Sequence, residues 1–545
     1  MCIACFLLSS CAAAPPEEQA KKEAPSSVNT QSAASGITED YTNYLSINDD
    51  EPDTVDFQCT SEYYNVALNV FDRLVEVEVS EDGSNKIVPS LAQSWTVSED
   101  GLVYEFHLHE DVFFSNGEEL TSDDVLYTFN RLLTHPDSVN KDLLMDIKGA
   151  SSLIAKKENG LYGFQIIDKY NFQITLEHPT SSFLACLSAA GASIMDKTSA
   201  NNAGNLFGTR AEWTIGTGPF VIKEWKPGSG MVLEANQDCW SGAPMCDGIY
   251  IHYIPDKEAQ RAMFDQGDLD ILDLDNIGFE AEYILHGDIY QDHLEHGPRI
   301  GITFIALNEA VEPLDDVNVR KALTLSLDRD AVLTAAYSHR GLVENGIFPY
   351  GLTGWDPDMP ELPYDPVLAR ELLLRSGNSS FSLTISITKN TSENVKEIID
   401  LISHMWSQIG VNCKVEELDS SEFNELRKNG ELACYVDTWS ASYNDPSNFI
   451  YTFFGNKENT KERSLNYPDE GIMRQVYEAR TITDDEDRIT AYQDLEEHIV
   501  QEDAAWIPLL SRQHYFLVSD RVEGFQVSWN GWSANQYRNV SVSHP

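Results

Sequence analysis

The chain has 545 residues, length for three or four domains, and 42% of them are apolar, which supports a packed globular core. With 88 acidic residues against 37 basic, its formal charge is −51. A surface that negative repels phosphate backbones and argues against nucleic acid as a partner; the acids are spread along the chain in short clusters such as Asp484-Asp485-Glu486-Asp487, so solubility accounts for them.

The first ten residues are apolar or small, and Leu8-Ser9-Ser10-Cys11 has the small-residue pattern that precedes an acylated cysteine. Residues 1–11 are therefore read as a lipoprotein signal, with Cys11 as the lipidated mature N-terminus. Residues 12–39 are rich in Ala, Pro, Ser, Glu, Lys and Gln, and hold no aromatic residue and no apolar period. Such a composition buries too little surface to fold and predicts a flexible tether. No later run approaches the roughly eighteen apolar residues of a membrane span, so the expected attachment is a lipid at one end.

Further along, the alternation over 171–176 predicts a strand, and Val232, Ile249, Ile251, Tyr253 and Ile254 mark further short strands. Helical periods fall at Val317–Leu325, 367–374 and 395–409, the last closed by Gly410. A strand at 411–415, a helix at 423–426 and a strand at 432–436 follow, a βαβ unit whose two strands should be parallel. The octet Trp439-Ser440-Ala441-Ser442-Tyr443-Asn444-Asp445-Pro446 comes next, an aromatic pair around small residues ending in an Asn-Asp-Pro turn. It is expected to leave the carboxyl end of the second strand, the edge at which open α/β sheets bind ligands.

Chemistry for an enzyme is hard to find. No Gly-x-Ser-x-Gly, His-Glu-x-x-His or Gly-x-x-x-x-Gly-Lys-Ser/Thr occurs. The lone metal candidate is His107, His109 and Glu110, whose two histidines share a strand face and read as surface residues. Neither a metal nor a cofactor is expected. Beyond the leader and Cys11 lie Cys59, Cys186, Cys239, Cys246, Cys413 and Cys434, with no Cys-x-x-Cys and hence no zinc signature. Outside the cytoplasm Cys239 with Cys246 could close a loop and Cys413 with Cys434 could join two neighbouring strands, the alternative being buried free thiols.

Several stretches are informative as an ordered set. Glu51-Pro52-Asp53-Thr54-Val55-Asp56 precedes Asn69-Val70-Phe71-Asp72-Arg73-Leu74; Val88-Pro89-Ser90-Leu91-Ala92-Gln93-Ser94-Trp95 precedes Phe114-Ser115-Asn116-Gly117 and Thr121-Ser122-Asp123-Asp124-Val125. Gly216-Thr217-Gly218-Pro219-Phe220, then Val319-Arg320-Lys321-Ala322-Leu323, then Tyr364-Asp365-Pro366 and the octet continue the series. From about residue 48 to the last strand, this order resembles the extracellular solute-binding proteins of bacterial dipeptide and oligopeptide ABC importers, family 5.

The resemblance implies an α/β, two-lobed fold of the periplasmic-binding-protein type II class with an extra inserted domain. Lobe I would be built from 40–75, 191–300 and 511–545, the inserted domain from 76–190, and lobe II from 301–510. Paired crossings near Gly301 and Leu510 would make a hinge. It further implies a monomer outside the cytoplasmic membrane that delivers a peptide or peptide-like ligand to the importer's permease subunits. Trp439, Ser442, Tyr443, Asn444 and Asp445 would line the pocket, with Cys59 and Thr60 facing them from the other lobe; Thr60 could equally cap a helix over 61–74. In peptide binders of the family an Asp three places after the Trp pairs with the ligand's α-amine, and here that place is Ser442. Either Asp445 or Asp437 takes over, or the ligand is a modified peptide, an oligosaccharide or a metal chelate. An extracellular hydrolase or a sensor on the same scaffold is the reading from another class.

Overall fold

Two long neighbouring strands, Leu294–Leu307 and Trp506–Val518, organise the molecule. They run antiparallel from Leu294 opposite Leu517 to Ala306 opposite Trp506. Residues 300–307 are wholly buried, so this end of the strand is covered on both faces. Side-chain alternation sends Ile300, Ile302, Phe304 and Ala306 into one core and Ile305 and Leu307 into another.

These two strands connect the halves of a single eleven-stranded sheet. On one side Ile271–Asp273, Leu45–Asn48, Gly248–His252, Gly230–Ala235 and Phe220–Lys226 follow in order; on the other come Cys434–Ser440, Phe381–Thr388 and Val411–Leu418, and the short strand Gly341–Val343 pairs with Trp506–Val518 off this path. The pairing slips between Arg299 and Ile302 and again between Thr303 and Phe304. Such irregularities bend a strand locally. Ile302 faces Ser511 and Thr303 faces Leu510 there, so the two expected crossings are neighbours in one bent ladder. The computed structural model describes residues 41, 43–60, 63–79, 85–277, 290–529 and 535–543; Cys11 and the 12–39 segment lie outside them.

A second, four-stranded antiparallel sheet stands apart: Ala92–Val97, Val103–Leu108, Asn171–Thr175 and Phe164–Ile166. Helix Ser122–Thr134 covers it, starting at a capping box in which the Thr121 and Asp124 side chains each meet the other's backbone N–H. Val125, Phe129, Leu132 and Leu133 recur at helical spacing and enter the same core as Phe106, Phe164 and Phe172. This is the inserted domain of the two-lobed α/β fold.

Several elements differ from expectation. The βαβ strands Val411–Leu418 and Cys434–Ser440 are parallel, but Phe381–Thr388 lies between them and pairs with both. Cys413 and Cys434 are therefore two strand spacings apart, about 10 Å, beyond the reach of a disulfide. All six cysteines named above are free thiols; Cys239 instead sets its Sγ against the Thr217 carbonyl at 3.7 Å. The second strand runs on through Ser440, because Thr438, Trp439 and Ser440 keep pairing with Thr303, Ile302 and Gly301. Trp439 thus belongs to a strand rather than a loop. The helix expected over 61–74 is only Tyr64–Val70, with Tyr63 rather than Thr60 at its N-cap.

Candidate functional site

The strand Cys434–Ser440 carries the octet to the bent part of the ladder. One edge is fully paired to Leu294–Leu307, and the Ala441 N–H continues the ladder to the Ile300 carbonyl at 2.8 Å. The other edge is paired to Phe381–Thr388 only at Cys434 and Tyr435. From Val436 onward no described strand covers that edge, which leaves backbone groups open to an added extended chain.

Trp439 is half-buried on one face of this strand. Its indole N–H donates to the Asn448 carbonyl at 3.0 Å, and its ring meets Phe453 edge to face with centroids 5.4 Å apart. The Arg463 guanidinium caps both rings, 4.8 Å from the Trp439 centroid and 5.4 Å from that of Phe453. Ser442 is exposed; its backbone N–H donates to Asn448 Oδ1 at 3.0 Å, which holds the turn. Tyr443 reaches across to pack on the inserted-domain core, near Cys186, and burial pushes its phenol pKa well up.

The last residues of the octet serve the fold. Asn444 is 6% exposed; its Oδ1 accepts from the Thr353 N–H at 2.8 Å. Asp445 caps the short helical turn Pro446–Asn448 through the Ser447 N–H at 2.9 Å. Its other oxygen pairs with Arg488 at 2.6 Å, with both side chains 6% exposed or less. Asn444 and Asp445, expected as pocket groups, are buried and engaged within the fold, each Asp445 oxygen accepting one bond from a neighbour. Asp437 lies 3.6 Å from Arg427 and accepts from the Thr438 N–H, while burial raises its carboxyl pKa.

Cys59 and Thr60 are tied to the inserted domain. The Cys59 thiol sits 3.4 Å from His135 Nδ1, and burial, then the Asp56 carboxylate, push its pKa up to about 12. The Thr60 carbonyl accepts from Asn140 Nδ2 at 3.0 Å and from the Tyr64 hydroxyl at 2.7 Å. His107 bonds Asn171 at 2.9 Å and His109 lies against Trp240; among the described residues no three potential metal ligands gather.

Sequence reasoning missed two features. A cavity of about 180 Å³ opens on the strand's other face, where Arg299, Tyr337, Ser392, Ser440 and Arg512 meet. Asp275 pairs with Arg512 at 2.7 Å, Arg299 at 3.3 Å and Arg340 at 3.7 Å, so one carboxylate faces three guanidiniums. Burial opposes its ionisation, but Arg512, His514, Arg299 and Arg340 together hold it below the usual range. The second feature is a polar seam between the inserted domain and the octet's lobe. Arg480 pairs with Asp146 at 2.6 Å, and Ser181 Oγ donates to the Arg480 and Ile482 carbonyls. The arginines and acids involved lie 24 to 334 residues apart, so no local spacing marks them.

The comparisons with known proteins agree with this architecture. The pattern of the family described as bacterial extracellular solute-binding proteins, family 5 Middle, matches residues 86–461. The chain belongs to that family. It is 28% identical to heme-binding protein A of Haemophilus influenzae over 499 residues, 88% of each chain. It is 27% identical to the dipeptide-binding protein of Escherichia coli over 511 residues, 89% of this chain and 91% of that one. The structure of HbpA2 from Haemophilus parasuis superposes with a TM-score of 0.78 at 25% identity, covering 92% of this chain and 99% of the other. These are two-lobed binding proteins, and the family's shared role is to hold a solute.

Proposed function

We propose that this family member is a lipid-anchored extracellular receptor that captures a peptide or peptide-like ligand between its lobes and delivers it to the permease of an ABC importer. The carrying observation is the strand edge beyond Tyr435, uncovered by any described strand and placed beside Trp439 and the exposed Ser442. An extended backbone can bond there as an added strand, and Trp439 offers a side-chain platform. The named E. coli relative binds dipeptides, which supports the same class here. Cys11 carries the lipid in this reading, and the protein acts as a monomer.

A second reading is a non-peptide solute on the same scaffold. Ser442, standing where peptide binders carry the amine-binding acid, favours it, and the H. influenzae relative is named for heme. Calorimetric titration with a di- to pentapeptide library separates the two. Saturable binding without product release, with compaction in small-angle scattering, is expected; silence across the library, or hydrolysis of a member, would overturn the peptide-receptor reading. Mass spectrometry of the N-terminus from native cells should find a lipidated Cys11, and an intact Met1 would defeat the anchor.

A further inference from the structure

The inserted domain meets its two neighbours in different ways. Toward lobe I the joint is internal: Arg131 pairs with Asp56 at 2.5 Å, Gln58 Nε2 donates to the Thr128 carbonyl at 2.9 Å, and Asn140 Nδ2 donates to the Phe57 carbonyl at 2.9 Å. Gln58 and Thr128 have no exposed surface, and the Arg131 and Asp56 side chains are 12% and 6% exposed. Breaking this joint would disrupt packed interior and a buried ion pair, so the inserted domain moves with lobe I.

Toward lobe II the contact is a thin polar seam. The Ser181 N–H donates to the Arg480 carbonyl at 3.1 Å, and its hydroxyl donates to the Arg480 and Ile482 carbonyls at 2.9 and 2.6 Å. Asp146, still 26% exposed, pairs with Arg480 at 2.6 Å, and the rings of His178 and Tyr477 meet edge to face with centroids 6.0 Å apart. A cavity of about 400 Å³ lies beside these bonds, walled by Ser98, Gly101 and Pro179 on one side and by Thr481, Thr483 and Asp485 on the other. Polar groups near water and an unfilled space are the marks of an interface that parts without unfolding. Tyr443 of the octet crosses the same boundary and packs on the inserted-domain core.

We propose that this seam is a latch: the inserted domain, carried by lobe I, closes on lobe II through Ser181, Asp146 and Tyr443 and holds the lobes together even in the ligand-free protein. Ser181, Asp146 and Arg480 are then positioning residues that act on capture without touching the ligand. Tyr443 directly follows Ser442, so the front of the octet and the latch share one loop. A contact made only in the closed arrangement adds the same free energy to every ligand. It therefore sets how long a ligand is held, not which one. The inference goes beyond the receptor reading, and its first test needs no ligand.

That test is residue-resolved hydrogen exchange and small-angle scattering on the ligand-free full chain. Asp146→Asn should speed exchange of the Ser181 amide about tenfold, the scale of one charge-assisted bond, and enlarge the radius of gyration. Ser181→Ala, which removes the hydroxyl from the other half of the seam, should do the same by a smaller factor. Amides of the inner strand Val103–Leu108 should keep their wild-type rates in both variants. Every library peptide that binds wild type should leave Asp146→Asn faster by one common factor, with association little changed. An unmoved Ser181 amide and radius in both variants would overturn the latch. So would inner-strand amides that speed up alongside Ser181, since that marks a loss of fold. If no peptide binds, the receptor reading fails while the ligand-free measurements still decide the latch.

Discussion

The front and rear of the octet behave as two different structures. Trp439 to Tyr443 continue an open strand edge, reach solvent at Ser442 and touch the inserted domain through Tyr443. Asn444 to Pro446 form a buried polar knot, where Asp445 is 3% exposed and carries both a helical cap and an ion pair. The rear fixes the path along which the front is presented. A carboxylate within a binding motif is thus not a ligand group by default; whether a cation of the fold already holds it decides.

Breaking the rear should cost stability first. Arg488→Ala leaves the Asp445 carboxylate buried and unpaired, a change worth roughly 3–5 kcal/mol, read as a shift of the urea unfolding midpoint. A loss under about 1 kcal/mol would mean the pair is hydrated and the knot is not one. Trp439→Ala lies at the boundary of the two halves. It removes a half-buried ring, the bond to Asn448 and the platform under Arg463, so unfolding should weaken by roughly 2–3 kcal/mol, less than for a fully buried Trp. Peptide affinity should fall in the same variant, which a purely structural Trp would not require. Asn444→Ala strands the Thr353 N–H and should cost about 1–2 kcal/mol in the same assay, with affinity reduced only through the displaced front.

What the sequence revealed divides along the same line. Local periodicity marked Val317–Leu325 and the helix Glu393–Gln408, whose end at Gly410 follows from a φ of +98° that glycine adopts freely. The ordered motifs marked the fold class. Non-local pairing stayed hidden: that Phe381–Thr388 separates two parallel strands, and so keeps Cys413 from Cys434, depends on the order of strands in a sheet. The strand end was misread because Thr438 to Ser440 extend only when Leu294–Leu307 is beside them. Asp445 looked available because its partner, Arg488, lies 43 residues away on another helix. Arg463 carried no signal either, since in sequence it ends a polar run that reads as a solvated face.

The smallest effect on stability should come with a change at the front that shows up in binding. Ser442→Asp adds a carboxylate at an exposed position, so unfolding should move by less than about 0.5 kcal/mol. Peptides with a free amine should gain about tenfold in affinity, the scale of one charge-assisted hydrogen bond, and N-acetylated peptides should gain nothing. No gain, with wild-type melting retained, would place the amine away from Ser442 and leave the front of the octet to the ligand's backbone and side chains.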